Sequence, residues 1–384
     1  MNSFLHSLKN PAHRARCRAT FTALAAAALL AACGGGSDDA EPAVPTAANQ
    51  LYTQTNLSTN TVVHLARNAD GTLTLRNSVA TGGAGTNTGA DPLVSQNSLI
   101  VTPDRRTLFT VNAASNSVSA FAIDPATGDL SLLAHNATTG TFPVSLAYKE
   151  GLLYVLFQGS QTVQAYAVKN GVLGTSLGSY NIIGAGPKPT QITLSPQGDY
   201  LTVSAGTVSN ELVAFPVGTD GRLGTALASA ADVQSPFAGV FVNATTFLST
   251  SAGIHALQAL RFSAGGFTAI NTPLVGDAAG VPCWLVVTPD GRYAYTGNGG
   301  SGSISAYRIA SDGSLTLLNA QAANEGIAVA GDSWISTDGK FLYTAYLAAG
   351  QVLAYAIQAD GSLTKVGAPA VVTTGNTMQG LAGI

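Results

Sequence analysis

Three side chains have the chemistry of an acid–base centre, although no short motif groups them. Asp332 could serve as a general base, and His135 is the histidine best suited to the same role. Lys188 could place a positive charge beside an oxygen that becomes negative during a reaction. Each has a structural alternative: an internal hydrogen-bond hub for Asp332, a turn residue for His135 and a solubilising charge for Lys188.

Other catalytic and metal-binding patterns are missing from the sequence. It contains no His-Glu-x-x-His and no paired cysteines with zinc-ligand spacing. The spacing Gly-x-Ser-x-Gly occurs at 174–178, but no helical pattern follows it, so it is not a nucleophile elbow. The glycine-rich run 82–85 lacks the Lys and Ser/Thr of a phosphate-binding loop. Cys283 has no neighbouring base in the sequence, which is typical of an inert buried thiol. We therefore expect neither a metal ion nor a cofactor.

The composition predicts a globular chain that does not bind nucleic acid. Of the 384 residues, 46% are hydrophobic and 10% are charged, so the chain can bury a large core. Beyond position 32 it has 13 basic and 20 acidic residues, a net charge of −7. Binding to nucleic acid requires a basic face, and this composition provides none.

The N-terminus is predicted to be an export signal. Four basic residues (Lys9, Arg14, Arg16 and Arg18) precede the apolar run Phe21–Ala32, which is too short to span a bilayer. The run ends in Leu-Ala-Ala-Cys33, which resembles a bacterial lipobox; the alternative is an ordinary Ala-x-Ala cleavage site. We expect a signal peptide at 1–32, a lipid-modified Cys33 and a flexible tether at 33–48.

The residue after the cysteine bears on the destination of the exported chain. Position 34 is Gly rather than Asp, which by analogy with lipoprotein sorting in Gram-negative bacteria indicates the outer membrane. We expect the protein on its periplasmic face or its surface, attached by the lipid alone.

The body of the chain is built from repeats. One half-unit reads Val-x-Ala-aromatic-x-apolar and places its alanine at positions 120, 165, 214, 259, 306 and 354, with spacings of 45 to 49 residues. A second half-unit precedes it and carries a turn such as Thr288-Pro289-Asp290-Gly291. Two hairpins per repeat predict a four-stranded blade.

Seven such blades predict an all-β, seven-bladed β-propeller over residues 49–384, which we expect to be a monomer. The first repeat, Leu51–Arg76, lacks one strand, and the chain ends in an extra strand-like segment, Gln379–Ile384. We predict that this C-terminal strand becomes the innermost strand of the first blade and closes the ring.

The start of each innermost strand should face the central channel. Counting four residues back from each turn places Gln191, Trp284 and Asp332 there, and a looser alignment adds Phe237 and Gln379. We expect the amides to contact a ligand and the aromatic rings to form its wall; the alternative for the rings is packing between inner strands. Glu325 is predicted in a loop at the channel mouth. His135 is expected to follow an outermost strand and point toward the same face.

The repeats resemble a known family. The run Val287–Tyr295 followed by Gly302–Tyr307 is similar to the lactonase-type seven-bladed propellers, which include 6-phosphogluconolactonase and the 3-carboxymuconate cyclases. The resemblance covers about residues 50–384. It implies that a small-molecule lactone is opened or formed at the channel mouth.

The chain departs from this family at the channel. Where members often carry Pro-Arg-His it has Pro282-Cys283-Trp284, and where they often carry Asn-Glu it has Asn298-Gly299. Lactone chemistry would then use Asp332 or His135 as the base and Lys188 as the partner of the oxyanion. The alternative is a non-catalytic propeller that binds a peptide, glycan or envelope protein on the same face.

Overall fold

A computed structural model describes residues 48–182, 188–206, 210–228, 233–270 and 272–384. The predicted signal peptide, the lipid-modified Cys33 and all but the last residue of the tether lie outside these residues. No helix in the described part of the chain has the length and apolar character needed to cross a bilayer.

The strands form seven antiparallel sheets, as the repeats predicted. Blade one contains β1 (Gln50–Gln54), β2 (Thr61–Arg67) and β3 (Leu73–Ala80). Blade two contains β4 (Leu99–Val101), β5 (Thr107–Asn112), β6 (Ser117–Ile123) and β7 (Leu130–Ala137). Blade three contains β8 (Pro143–Lys149), β9 (Leu152–Phe157), β10 (Thr162–Lys169) and β11 (Val172–Asn181). Blade four contains β12 (Gln191–Leu194), β13 (Tyr200–Ala205), β14 (Glu211–Pro216) and β15 (Leu227–Ala228).

The remaining blades follow the same order from the inside outward. Blade five contains β16 (Pro236–Phe241), β17 (Thr246–Ser251), β18 (Ala256–Ser263), β19 (Gly266–Ala269) and β20 (Leu274–Val275), the last two both paired with β18. Blade six contains β21 (Pro282–Val287), β22 (Tyr293–Asn298), β23 (Ser303–Ile309) and β24 (Leu315–Asn324). Blade seven contains β25 (Ala330–Ile335), β26 (Phe341–Tyr346), β27 (Gln351–Ile357) and β28 (Leu363–Val371). Short 3₁₀ turns occur at Ala252–Ile254 and Leu347–Ala349.

The C-terminal strand closes the ring. The strand β29 (Gln379–Gly383) pairs antiparallel with β1, with Tyr52 opposite Ala382, and becomes the innermost strand of blade one. The backbone N–H of Ile384 donates to the Gln50 carbonyl at 2.9 Å. This confirms the closure predicted from the incomplete first repeat, and it pairs backbone groups that would otherwise form open edges.

The blade pattern explains which strands are apolar. A second strand such as β9 is packed between neighbouring blades and reads Leu-Leu-Tyr-Val-Leu-Phe, buried over five of its six residues. An outermost strand such as β3 faces solvent and is mostly exposed. An Asp-Gly turn joins the outermost strand β3 to the strand before it, β2. In this turn Gly71 has φ +88°, which glycine adopts without strain, and Asp70 Oδ1 accepts the Thr72 N–H.

Seven inner strands surround the central channel. In order around the ring these are β29, β4, β8, β12, β16, β21 and β25, and each lies against the next. We call the end where these strands begin the mouth, and the end where they enter the Pro-Asp-Gly turns the turn face. Residues early in an inner strand therefore lie near the mouth, and residues late in the strand lie near the turn face.

Candidate functional site

The channel is filled near its mouth by a segment that the repeats do not contain. Eighteen residues separate β3 from β4, and the part Asp91–Ser98, here the channel segment, bonds to inner strands around the ring. Its Gln96 amide exchanges two hydrogen bonds with the backbone of Leu285, at 2.9 and 3.0 Å. The Gln96 backbone N–H donates to the carbonyl of Thr190 just before β12. Such contacts on separate blades require the segment to lie inside the channel.

Further bonds fix the channel segment to blades three and four. The Ser95 hydroxyl donates to the Val144 carbonyl at 2.9 Å, and the Leu146 N–H donates to the Asn97 carbonyl at 2.9 Å. The Asn97 amide donates to the Ile192 carbonyl at 3.4 Å. The segment thus pairs with backbone groups on the inner edges of these strands, which would otherwise lack partners.

Asp332 lies in β25 with its carboxyl group buried against this segment. Asp332 is 3% exposed, and its Oδ2 accepts hydrogen bonds from the Gly380 backbone N–H at 3.0 Å and from the Gln379 side-chain amide at 3.3 Å. Burial, with a smaller contribution from the nearby Asp91 carboxylate, raises the pKa of Asp332 to about 7 against the opposing backbone hydrogen bonds. The Asp332 carboxyl therefore acts as the hydrogen-bond hub that the sequence gave as one alternative. Its role as a general base stays a prediction.

Asp91 is the second carboxyl group at the mouth. It begins the channel segment and is half-buried, and burial raises the pKa of Asp91 to about 7 against hydrogen bonds from Gln379, Val94 and Ser95. Its Oδ1 is buried without a hydrogen-bond partner. Because both carboxyl groups are desolvated and the Asp91 carboxylate raises the pKa of Asp332, ionisation of Asp91 disfavours ionisation of Asp332.

Sequence reasoning missed Asp91. Its position belongs to no repeat, so counting back from the turns cannot reach it. The available signal was the unusual length of the β3–β4 connection, since long connections in compact domains are often functional.

The predicted amide and aromatic residues lie on the inner strands. Gln379 and Trp284 both donate to the Ser95 carbonyl at 3.0 Å, which places them against the channel segment. The Trp284 and Phe237 rings meet edge to face, with 5.2 Å between their centroids, and the two residues are 1% and 3% exposed. This arrangement matches packing between inner strands, the alternative to a ligand-binding wall. Gln191 is buried and accepts the Gly239 N–H at 2.5 Å. Direct ligand contact by these four residues remains a prediction.

His135 does not reach the channel. The expectation that it follows an outermost strand was wrong: it lies within β7, opposite Ser119 of β6, and its side chain is exposed. Its Nε2 lies 2.8 Å from the Ser117 hydroxyl. The other strands of blade two separate it from Asp332, because β7 is the outer edge of that sheet.

Among the described contacts, neither Lys188 nor Glu325 bonds to the carboxyl pair. Lys188 is exposed in the connection that leads into β12. Glu325 forms an ion pair with Lys365 of β28 and accepts a hydrogen bond from Tyr355 at 3.4 Å. Its charge is therefore already matched by an outer strand, and a solvated or paired role fits these contacts better than substrate binding.

The thiol at the mouth is protonated. Cys283 is half-buried in β21, and burial together with the Asp91 carboxylate raises the pKa of its thiol far above neutrality. A protonated thiol is a poor nucleophile. Among the described residues, no three His, Cys, Asp or Glu side chains converge as a metal site.

These features define a closed seven-bladed propeller whose channel mouth carries a buried carboxyl pair. The family model described as "Lactonase, 7-bladed beta-propeller" matches residues 43–181 and 239–379. The chain belongs to this family. A comparison with curated proteins found no match.

Solved structures share the fold at low identity. A Bacteroides fragilis protein provisionally assigned as a 6-phosphogluconolactonase is 17% identical with a TM-score of 0.68, over 89% of this chain and 99% of that chain. The periplasmic gluconolactonase PpgL of Pseudomonas aeruginosa is 18% identical with a TM-score of 0.68, over 86% and 98%. Virginiamycin B lyase from Staphylococcus aureus is 13% identical with a TM-score of 0.51, over 72% and 86%. Such identities show the fold, which hosts several chemistries.

Proposed function

We propose that the protein opens or forms a lactone at the channel mouth, with Asp91 and Asp332 as the acid–base pair. The observation that carries this proposal is the pair of desolvated carboxyl groups, whose raised pKa values suit proton transfer near neutral pH. Membership of the lactonase family supports the choice of reaction. Asp91 takes the place that the sequence assigned to His135.

The pair can supply both proton transfers of lactone hydrolysis. The ionised carboxylate takes a proton from water as the water oxygen bonds to the lactone carbonyl carbon. The protonated carboxyl then donates its proton to the ring oxygen as the ring carbon–oxygen bond breaks. One proton enters the pair and one leaves, so the pair returns to its starting state and the product is a hydroxy acid. Lactone formation is the reverse.

The charges at the mouth favour an uncharged lactone. In the described part of the chain, no Lys or Arg side chain bonds to Asp91 or Asp332, and the causes of their raised pKa values include no basic group. A phosphorylated or carboxylated substrate would bring a like charge to this pair. A neutral sugar lactone avoids that repulsion.

Replacing either carboxyl is expected to abolish most of the activity. The purified full chain is assayed by proton release on glucono-δ-lactone, 6-phosphogluconolactone and muconolactone. We expect turnover of the neutral lactone, and a loss in kcat/KM of about 100-fold or more in Asp91→Asn and in Asp332→Asn. The pH profile should be bell-shaped around pH 7, because activity requires one proton on the pair.

The exposed Asp220→Asn variant is the control, since Asp220 lies in a surface turn paired with Arg222. It should match the unmodified chain. Absence of turnover on all three lactones, or full activity in both channel variants, would refute the proposal. Absence of turnover would favour the second candidate, a non-catalytic binding propeller. That candidate is supported by the enclosure of Asp332 behind the channel segment.

We also propose that the protein is a lipoprotein of the outer membrane, anchored through Cys33. The basic residues, the apolar run and the lipobox-like Leu-Ala-Ala-Cys33 support this. Expressed in a Gram-negative host, the unmodified chain and Cys17→Ser should enter the detergent phase of a Triton X-114 extraction. Cys33→Ser should remain in the aqueous phase. Partition of Cys33→Ser into detergent would contradict the anchor.

A further inference from the structure

A cavity lies beyond the channel segment, toward the turn face of the channel. It has a volume of about 470 Å³ and is lined by residues of inner strands from six blades, most of them late in their strands; Gln191, the first residue of β12, is an exception. Gln96 and Asn97 of the channel segment also line it, so the segment stands between this cavity and the mouth. A smaller cavity of about 220 Å³ shares Asn97, Ile100 and Thr193 with it and extends toward blade three.

The walls of the larger cavity are apolar side chains that solvent can reach. Ile100, Val101, Val240, Val286, Val287 and Trp334 all line it and are all half-exposed. Apolar residues at the centre of a propeller normally pack against each other, and a group of partly exposed ones around one cavity marks a binding surface. Trp334, which stacks on Tyr343 at 6.0 Å, provides a flat wall.

The polar groups of the wall carry no net charge. No Asp, Glu, Lys, Arg or His is among its lining residues. Two side-chain amides line the cavity: the Gln191 oxygen accepts the Gly239 N–H, and the Asn97 nitrogen donates to the Ile192 carbonyl. The Gln191 amide nitrogen is a further donor, and the Asn97 amide oxygen is a further acceptor. A charged ligand would lose its hydration here without gaining a counter-ion.

We infer that the turn-face cavity is a binding site for an uncharged small molecule with an apolar body and a hydrogen-bonding group. The volume falls in the range of small-molecule sites, and the apolar walls favour a hydrocarbon or aromatic framework. The Gln191 amide nitrogen and the Asn97 amide oxygen would orient the polar group. This site is separate from the carboxyl pair, because the channel segment lies between them. Hydrogen bonds hold that segment to blades one, two, three, four and six.

The probe for this site is N-phenyl-1-naphthylamine, an uncharged aromatic amine whose fluorescence rises in apolar surroundings. We expect binding to the full chain, with energy transfer from tryptophan because Trp334 lines the cavity. Filling the cavity by Val101→Phe or Val287→Phe should weaken the affinity at least tenfold. Trp334→Phe should reduce the energy transfer more than the directly excited fluorescence.

Two controls make the test specific. Val172→Phe adds the same volume on the outermost strand of blade three, where Val172 is 53% exposed, and should leave the affinity unchanged. The probe's sulfonated analogue, 8-anilino-1-naphthalenesulfonate, has the same rings with a negative charge and should bind at least tenfold more weakly. Thermal melts check that each variant is folded. Equal affinity in the folded Val101→Phe and Val287→Phe variants, or equal binding of the sulfonate, would overturn the inference.

Discussion

Deletion of residues 377–384 is expected to lower the melting temperature by at least about 10 °C, measured by circular dichroism or calorimetry. The deletion removes β29 and its flanking residues, among which Met378, Leu381 and Ile384 are buried, and each such side chain contributes about 1.5–3 kcal/mol. It also leaves the β1 edge unpaired and takes both β29 donors from the buried Asp332 carboxyl. The ring then has a gap at blade one.

Point variants keep this prediction testable if the truncated chain does not fold. Leu381→Ala removes a residue that is 7% exposed and should cost about 2–5 kcal/mol. The matched control is Leu75→Ala, on the outer strand β3, where the leucine is 53% exposed and little change is expected. An unchanged melting curve after deletion of 377–384 would mean that the C-terminal strand does not hold the ring closed.

The protein is expected to lose stability as the pH rises from about 4 to about 7, and Asp332→Asn should remove part of that loss. Burial raises the pKa of Asp332 from its usual 3.8 to about 7 in the folded chain. The contribution of a group with a raised folded pKa is complete below its unfolded pKa and is lost as the pH passes through the folded pKa. Asparagine stays neutral and keeps an oxygen for the Gly380 N–H, so the variant should be more stable by about 2 kcal/mol at pH 8.

The control for this series is Asp360→Asn. Hydrogen bonds from Ser362 hold the pKa of the exposed Asp360 carboxyl below its usual value, so this carboxyl stabilises the fold at neutral pH and above. Its replacement should not raise the melting temperature at pH 8. A melting temperature for Asp332→Asn that is equal to or below that of the unmodified chain at pH 8 would show that Asp332 is not held in a desolvated site.

The two measurements on Asp332→Asn reinforce each other. An inactive variant is often inactive because it has unfolded, but here the expected variant is more stable at pH 8 and less active. That combination would assign the carboxyl to proton transfer. A stabilised variant that remains fully active would leave Asp332 with its structural role alone, as acceptor for Gly380 and Gln379.

The sequence determined the architecture of this protein. Strand period, turn residues and repeat length are local properties, and they recur seven times, so the errors in one copy are corrected by the others. The incomplete first repeat and the extra strand at the end then predicted the closure through β29. Counting back from the turns placed Asp332 and Trp284 on inner strands, because a fixed distance from a turn is a fixed position in a blade, and a looser alignment of the repeats placed Gln379 there.

Only the tertiary structure decided what surrounds those positions. Asp91 joins Asp332 through a connection that occurs once, and no repeat could place it. Glu325 is neutralised by Lys365 from the next blade, and His135 is held in an outer strand, both through pairings that residue type does not specify. The physical reason is that backbone hydrogen bonding and apolar burial follow local periodic patterns. The environment of a charge depends instead on which unique side chains the closed ring brings together across blades.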